Sequence, residues 1–134
     1  MEYRQEILDL GEELKTTSSL EDFHVIAFKL SKLGKEAVTY CFSSLQNITQ
    51  PYSDEILYLL KALSWNSAIS NYALDIENIV RAYMFNLNPD IREEALALSV
   101  YLPQEIMTKL VQDFLEKETD LTLQSFARDM IQEV

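Results

Sequence analysis

Residues Asn88-Pro89-Asp90-Ile91-Arg92-Glu93-Glu94-Ala95-Leu96-Ala97-Leu98 are echoed, more weakly, by Asp120-Leu121-Thr122-Leu123-Gln124-Ser125-Phe126-Ala127. In both, a polar turn leads into a helical pattern, and a branched apolar residue (Ile91, Leu123) stands four positions before a small Ala (Ala95, Ala127). The offset, 91 to 123 and 95 to 127, is 32 residues. Self-similarity at that period signifies stacked helical hairpins. Such a stack holds partners along a face and carries no chemistry of its own.

The rest of the chain agrees with a helical reading. Gly occurs twice and Pro three times in 134 residues, too few for a β chain that turns roughly every 10 residues. The expected fold is all-α, seven or eight helices in antiparallel hairpins forming one domain over residues 1–134. Tyr3, Ile7, Leu10 and Leu14 make one stripe of a first helix from about Glu2 to Lys15. Ser18 with Glu21, or Ser19 with Asp22, supplies a capping box for a second helix that buries Phe23, Ile26, Ala27, Leu30 and Leu33. Gly34 can stop or kink it. A third helix buries Ala37 or Val38, Cys41, Phe42 and Leu45.

After the break at Asn47 to Tyr52, Ser53 is expected to cap a fourth helix with Asp54 and Glu55 in its first turn. Ile56, Leu57, Leu59, Leu60 and Leu63 make that helix apolar around much of its circumference, so it should be the most buried. Beyond a weak break at Trp65-Asn66-Ser67, the helical period runs from Ile69 through Tyr72, Ala73, Ile76, Ile79 or Val80, and Tyr83 to Leu87. Asn88-Pro89 ends it. The last three helices are expected at about Asp90 to Tyr101, Pro103 to Lys117 and Asp120 to Glu133, with Leu60, Ala95, Leu110, Phe114 and Ala127 in the core.

Two helices per 32 residues, a short turn with Asp90, then Ile91, Arg92 and Ala95, resemble the HEAT repeat family of α-solenoids. The later copy keeps Asp120, Leu123 and Ala127 but has Gln124 for the Arg, and Ile56 to Leu63 is a third, degraded copy with Leu60 for the Ala. The resemblance implies a short solenoid that binds proteins along one helical face. It also implies that Arg92 orients the inter-repeat turn through a carboxylate or carbonyl rather than touching a ligand.

Candidate chemistry is sparse. His24 and Cys41 are the single His and the single Cys, with no His-Glu-x-x-His or Glu-x-x-His pattern, so no metal or cofactor is expected. Cys41 shares an apolar helix side with Val38, Phe42 and Leu45, which suits packing rather than nucleophilic attack. Gly11 and Gly34 are too isolated for a phosphate loop. The chain reads as a non-enzyme. One Cys, no secretory pattern at the start and no run of ~20 apolar residues fit the cytoplasm.

Charge is the remaining signal. Eleven Lys and Arg stand against 22 Asp and Glu, a formal net charge of −11. That opposes nucleic acid and anionic membranes; it either steers the chain toward a basic protein or serves only to keep it soluble. Two acidic surfaces are expected. One is the first helix and the turn after it, with Glu6, Asp9 and Glu13 prominent; the other is Asp54 and Glu55 beside Tyr52, Tyr58 and Trp65, where carboxylates meet aromatic rings. Together they suggest a protein-binding module. In its most pointed form it is an immunity protein or antitoxin that occludes a basic, nuclease-type toxin. The alternative is a small helical adaptor or structural subunit of a larger assembly.

Overall fold

Eight α-helices carry the chain, and there is no strand among residues 3–48 and 54–132, which the computed structural model describes. They are α1 (Gln5–Thr16), α2 (Leu20–Ser31), α3 (Gly34–Asn47), α4 (Asp54–Ser64), α5 (Ala73–Tyr83), α6 (Pro89–Leu98), α7 (Gln104–Lys117) and α8 (Leu121–Gln132). Single 3-10 turns occupy Ile69–Asn71 and Ser99–Tyr101. The chain falls into two compact units, Met1–Asn71 and Tyr72–Val134. Glu2, Tyr52, Ser53 and Glu133, which the sequence assigns to a helix start, a turn, a cap and a helix end, lie outside the described residues.

In the first unit α2 packs on α1, α3 and α4, and α4 also packs on α3. The local signals are those of the sequence. Ser19 caps α2, its hydroxyl accepting from Asp22 N at 3.4 Å. Of the two candidate capping boxes the second forms, and only its forward half, because the Asp22 carboxylate accepts from Thr17 Oγ1 instead. Gly34 stands at φ +70°, a left-handed conformation that costs other residues about 1 kcal/mol or more, and it starts α3 directly after α2. Every residue from Ile56 to Leu60 is buried, so α4 is the internal helix its composition implies. Arg4 closes the unit. Its backbone N–H and Nε donate to the Glu36 carboxylate at 2.6 and 2.9 Å, and Nη2 donates to Leu33 O at 2.9 Å.

Asn66, in the break after α4, does more than interrupt a helix. It is buried, donates from Nδ2 to Gly34 O at 2.9 Å, and accepts from Ala68 N at 2.9 Å. The long fifth helix expected from Ile69 to Leu87 is consequently divided. Ile69–Asn71 is a 3-10 turn hung from Asn66, Tyr72 leaves the helical region at φ −122°, ψ 42°, and α5 starts only at Ala73. Leu87 lies past the helix end and is 73% exposed rather than part of a core stripe.

In the second unit α6 packs on α5 and α8, and α7 packs on α8. Asn88 caps α6 by accepting from Asp90 N at 2.9 Å, with Pro89 in the first turn. The α-helix ends at Leu98 and tightens into the 3-10 turn Ser99–Tyr101, with the Ser99 hydroxyl donating to Leu96 O at 2.6 Å. Ala95 and Ala127, the repeated small residues, are fully buried, as are Leu110 and Phe114.

Arg92 forms the second unit's main polar tie. Nε and Nη2 grip the two oxygens of Glu118 at 2.7 and 2.9 Å, while Nη1 donates to Asn86 O and Leu87 O at 3.0 and 3.2 Å. Glu118 is buried, and it also accepts from Thr119 N and Asp120 N at 3.0 Å each. Burial by itself would raise its pKa. The Arg92 hydrogen bonds and charge, with the amides of Asp120 and Thr119, outweigh it and hold the carboxyl below its ordinary range. The role implied for Arg92, fixing turns through a carboxylate and carbonyls, is the one its side chain performs.

Candidate functional site

The helix α1 sorts its acidic residues onto two flanks. At about 100° per residue, Leu8, Glu12 and Lys15 share one edge, whereas Glu6, Asp9 and Glu13 share another on the far side of the exposed surface. Between these edges and below them, Ile7, Leu10, Gly11 and Leu14 face the core.

The first edge borders an open groove of about 640 Å³. Its walls come from three helices. Leu8, Glu12 and Lys15 of α1 face Tyr40, Ser43, Ser44 and Asn47 of α3, with Tyr3 and Ile48 at the margins and Glu55 from the first turn of α4. Tyr3 and Tyr40 meet edge to face, with centroids 5.3 Å apart and planes at 90°. The Tyr40 ring seats itself over Gly11, whose missing side chain leaves that space. A Cβ there would lie 2.6 Å from Tyr40 Cζ and closer still to its hydroxyl.

Two carboxylates and one ammonium set the electrostatics. Lys15 Nζ lies 3.7 Å from Glu12 Oε1, an exposed pair that holds little energy. Glu55 is half-buried. Its pKa is raised by burial; Lys15 pulls it back down, and the charge of Glu12 pushes it up by less. A second cation entering the groove would relieve that cost by favouring the ionised carboxylate.

The structure therefore redistributes the residues singled out by sequence. Glu55 lines its groove with two rings that the sequence did not pair with it, Tyr3 and Tyr40. Tyr40 was the aromatic residue that sequence reasoning missed, and its signal was the mid-helix Gly11 opposite which a large side chain can settle. Asp54 is exposed beside Glu55 in the first turn of α4. Trp65 follows the other end of that helix, roughly 16 Å along the axis at ~1.5 Å per residue. Tyr58, expected on the acidic surface with Asp54 and Glu55, is buried. Its ring stacks on Phe23 (4.9 Å) and its hydroxyl lies 3.2 Å from His24 Nε2. Trp65 stacks on His24 at 6.4 Å, with Lys61 Nζ 6.0 Å from its centroid. Glu6 and Asp9 are exposed, and Glu13 lines a separate shallow cleft against α2 with Thr17, Asp22, Val25 and Lys29.

Cys41 is buried on the core side of α3, and desolvation pushes its thiol up to about 12, so it holds its proton near neutral pH. Among the described residues no group of three or more His, Cys, Asp or Glu is placed to hold a metal ion. No helix among them is long and apolar enough to cross a membrane. No family model, no curated protein and no solved structure matches this chain.

Proposed function

We propose that this protein is a non-enzymatic binding module, a helical-repeat scaffold whose α1–α3–α4 groove receives a basic side chain of a partner protein. The observation that carries this reading is the meeting of Glu12 and Glu55 with Tyr3 and Tyr40 in one open groove. A lysine or arginine entering it gains two carboxylates and two ring edges or faces, and relieves the half-buried Glu55. Carboxylates at the mouth and a net charge of −11 speed the approach of such a partner. Aromatic walls let the contact exclude water, which an exposed charge pair does not. The function is occupancy: no bond is made or broken.

The pointed form of the reading is an immunity protein. A nuclease-type toxin must present a basic groove to bind a polyanion, and an acidic module blocks it by covering that groove. Inhibition would be stoichiometric, without turnover, and the toxin would regain activity once the chains are denatured and separated. Co-expression with the product of the adjacent gene tests it. The reading predicts that the neighbour is toxic alone, harmless with this protein, and toxic again with the Glu12→Lys, Glu55→Lys variant. A neighbour harmless by itself removes the immunity form and leaves an adaptor that holds a basic subunit through the same groove.

A further inference from the structure

A second surface of the first unit shares no residue with the groove. Helix α2 is covered by α1, α3 and α4, yet a stripe of it stays open: Glu21, Val25, Phe28 and Lys32, spaced by four, three and four residues. At ~100° per residue these four positions fall within roughly 60° of one another. Val25 is 46% and Phe28 54% exposed, and Glu21 and Lys32 are exposed at the two ends of the helix. Lys32 Nζ lies 4.8 Å over the Phe28 ring, so its charge is held above the apolar part of the stripe. Leu20, exposed one turn before His24, and Trp65 beside His24 widen the apolar margin.

The order along the stripe is acid, apolar, apolar, base, and that order is its own complement. If two copies of α2 are set antiparallel about a two-fold axis, residues whose numbers sum to 53 face each other. Glu21 then meets Lys32 of the other copy, and Val25 meets Phe28, each contact occurring twice. This is the isologous arrangement that a symmetric dimer requires. The 4-3-4 spacing is that of a helix–helix seam, and the helix dipoles oppose in the same arrangement. A partner of one charge sign would be attracted at one end of the stripe and repelled at the other. We infer that the exposed stripe Glu21–Val25–Phe28–Lys32 is a self-association surface, occupied by α2 of a second copy of this chain.

The seam is one short helix wide, so the dimer belongs to the small, micromolar end of specific interfaces. The net charge of −11 on each copy opposes it, but at physiological salt only charges within about 8 Å count fully, and at the seam the two lysines face acids. Sedimentation velocity of the whole chain, from the low micromolar range to several hundred micromolar at physiological salt, is the measurement. Wild type should pass from monomer to dimer. Glu21→Lys and Lys32→Glu, both exposed changes that leave the core untouched, should each weaken the dimer roughly tenfold or more, since each turns two opposite-sign contacts into like-sign ones. The double variant Glu21→Lys, Lys32→Glu should restore it, and a mixture of the two single variants should form only the hetero-pair. A chain monomeric throughout overturns the inference and leaves the stripe to a different protein. A dimer indifferent to the single reversals, or not restored by the double one, places the contact elsewhere and overturns it equally. Neither result touches the groove, whose test uses other residues.

Discussion

Replacing Arg92 by Met isolates the tie that fixes the second unit. Met keeps most of the aliphatic stem, so little packing is lost, while four N–H donations disappear: two to Glu118 at 2.7 and 2.9 Å, and two to the carbonyls of Asn86 and Leu87 at 3.0 and 3.2 Å. The loss at Leu87 O is cheap, because Leu87 is exposed and water can replace the donor, and that at the part-buried Asn86 O is a single hydrogen bond of about 1 kcal/mol. The carboxylate is the costly part. The Glu118 side chain is only 2% exposed, and removing one member of a buried pair costs about 3–5 kcal/mol. The amides of Thr119 and Asp120 still support the charge, which places the expected loss at the lower end, ~3 kcal/mol. In a chain of 134 residues that corresponds to a fall in Tm on the order of 10 °C. Urea unfolding gives the free energy directly. The pH dependence adds a second check. The folded pKa of Glu118 is lowered from its ordinary 4.5, so the pair's contribution is fully present above that value and is lost as pH falls through the lower folded one. The gap between wild type and Arg92→Met should therefore be present at neutral pH and close as pH falls below 4.5 through the lowered folded value. A variant within 0.5 kcal/mol of wild type at neutral pH, on the scale of an ordinary surface change of about that size, would refute the reasoning.

The other expectations follow from burial and the groove. Ala95→Arg places a charge in a fully buried site and should cost several kcal/mol, about 3 or more, read by thermal unfolding; wild-type melting would contradict the packing of α6. Gly11→Ala should lower Tm, since displacing the buried Tyr40 ring costs about 1–3 kcal/mol and outweighs the roughly 1 kcal/mol that Ala gains in the helix; near-ultraviolet circular dichroism should change, and partner binding should weaken. Glu55→Gln should not lower stability at neutral pH, because the folded pKa is raised above 4.5, so the ionised form opposes folding above that raised value and the opposition fades as pH falls. The same variant should weaken binding of a basic partner, and a marked drop in Tm would show that the Glu55 charge supports the fold instead.

Helix existence was legible because the apolar spacing is unbroken, and so were the core positions Leu60, Ala95, Leu110, Phe114 and Ala127. The burial of Tyr58 followed from the same information that made α4 internal: a helix surrounded on nearly all sides buries its off-stripe residues too. What periodicity could not reveal was the division at Tyr72. It depends on Asn66, whose side chain reaches back 32 positions to Gly34 O, a tertiary bond with no local signal. The groove was half legible. Glu12 and Glu55 stood in the two acidic segments named from sequence, but their convergence depends on how α1 and α4 flank α3, and only the isolated Gly11 hinted at Tyr40.

The central claim is that the α1–α3–α4 groove is where a basic partner sits. A photo-reactive amino acid placed at Ser44, inside the groove, and at Lys109 in the second unit as control, would test it in the source cell. The account predicts a single basic protein cross-linked from Ser44, absent from Lys109, and lost in the Glu12→Lys, Glu55→Lys background. A cross-linked protein that is acidic, or one captured equally after both charge reversals, would contradict it.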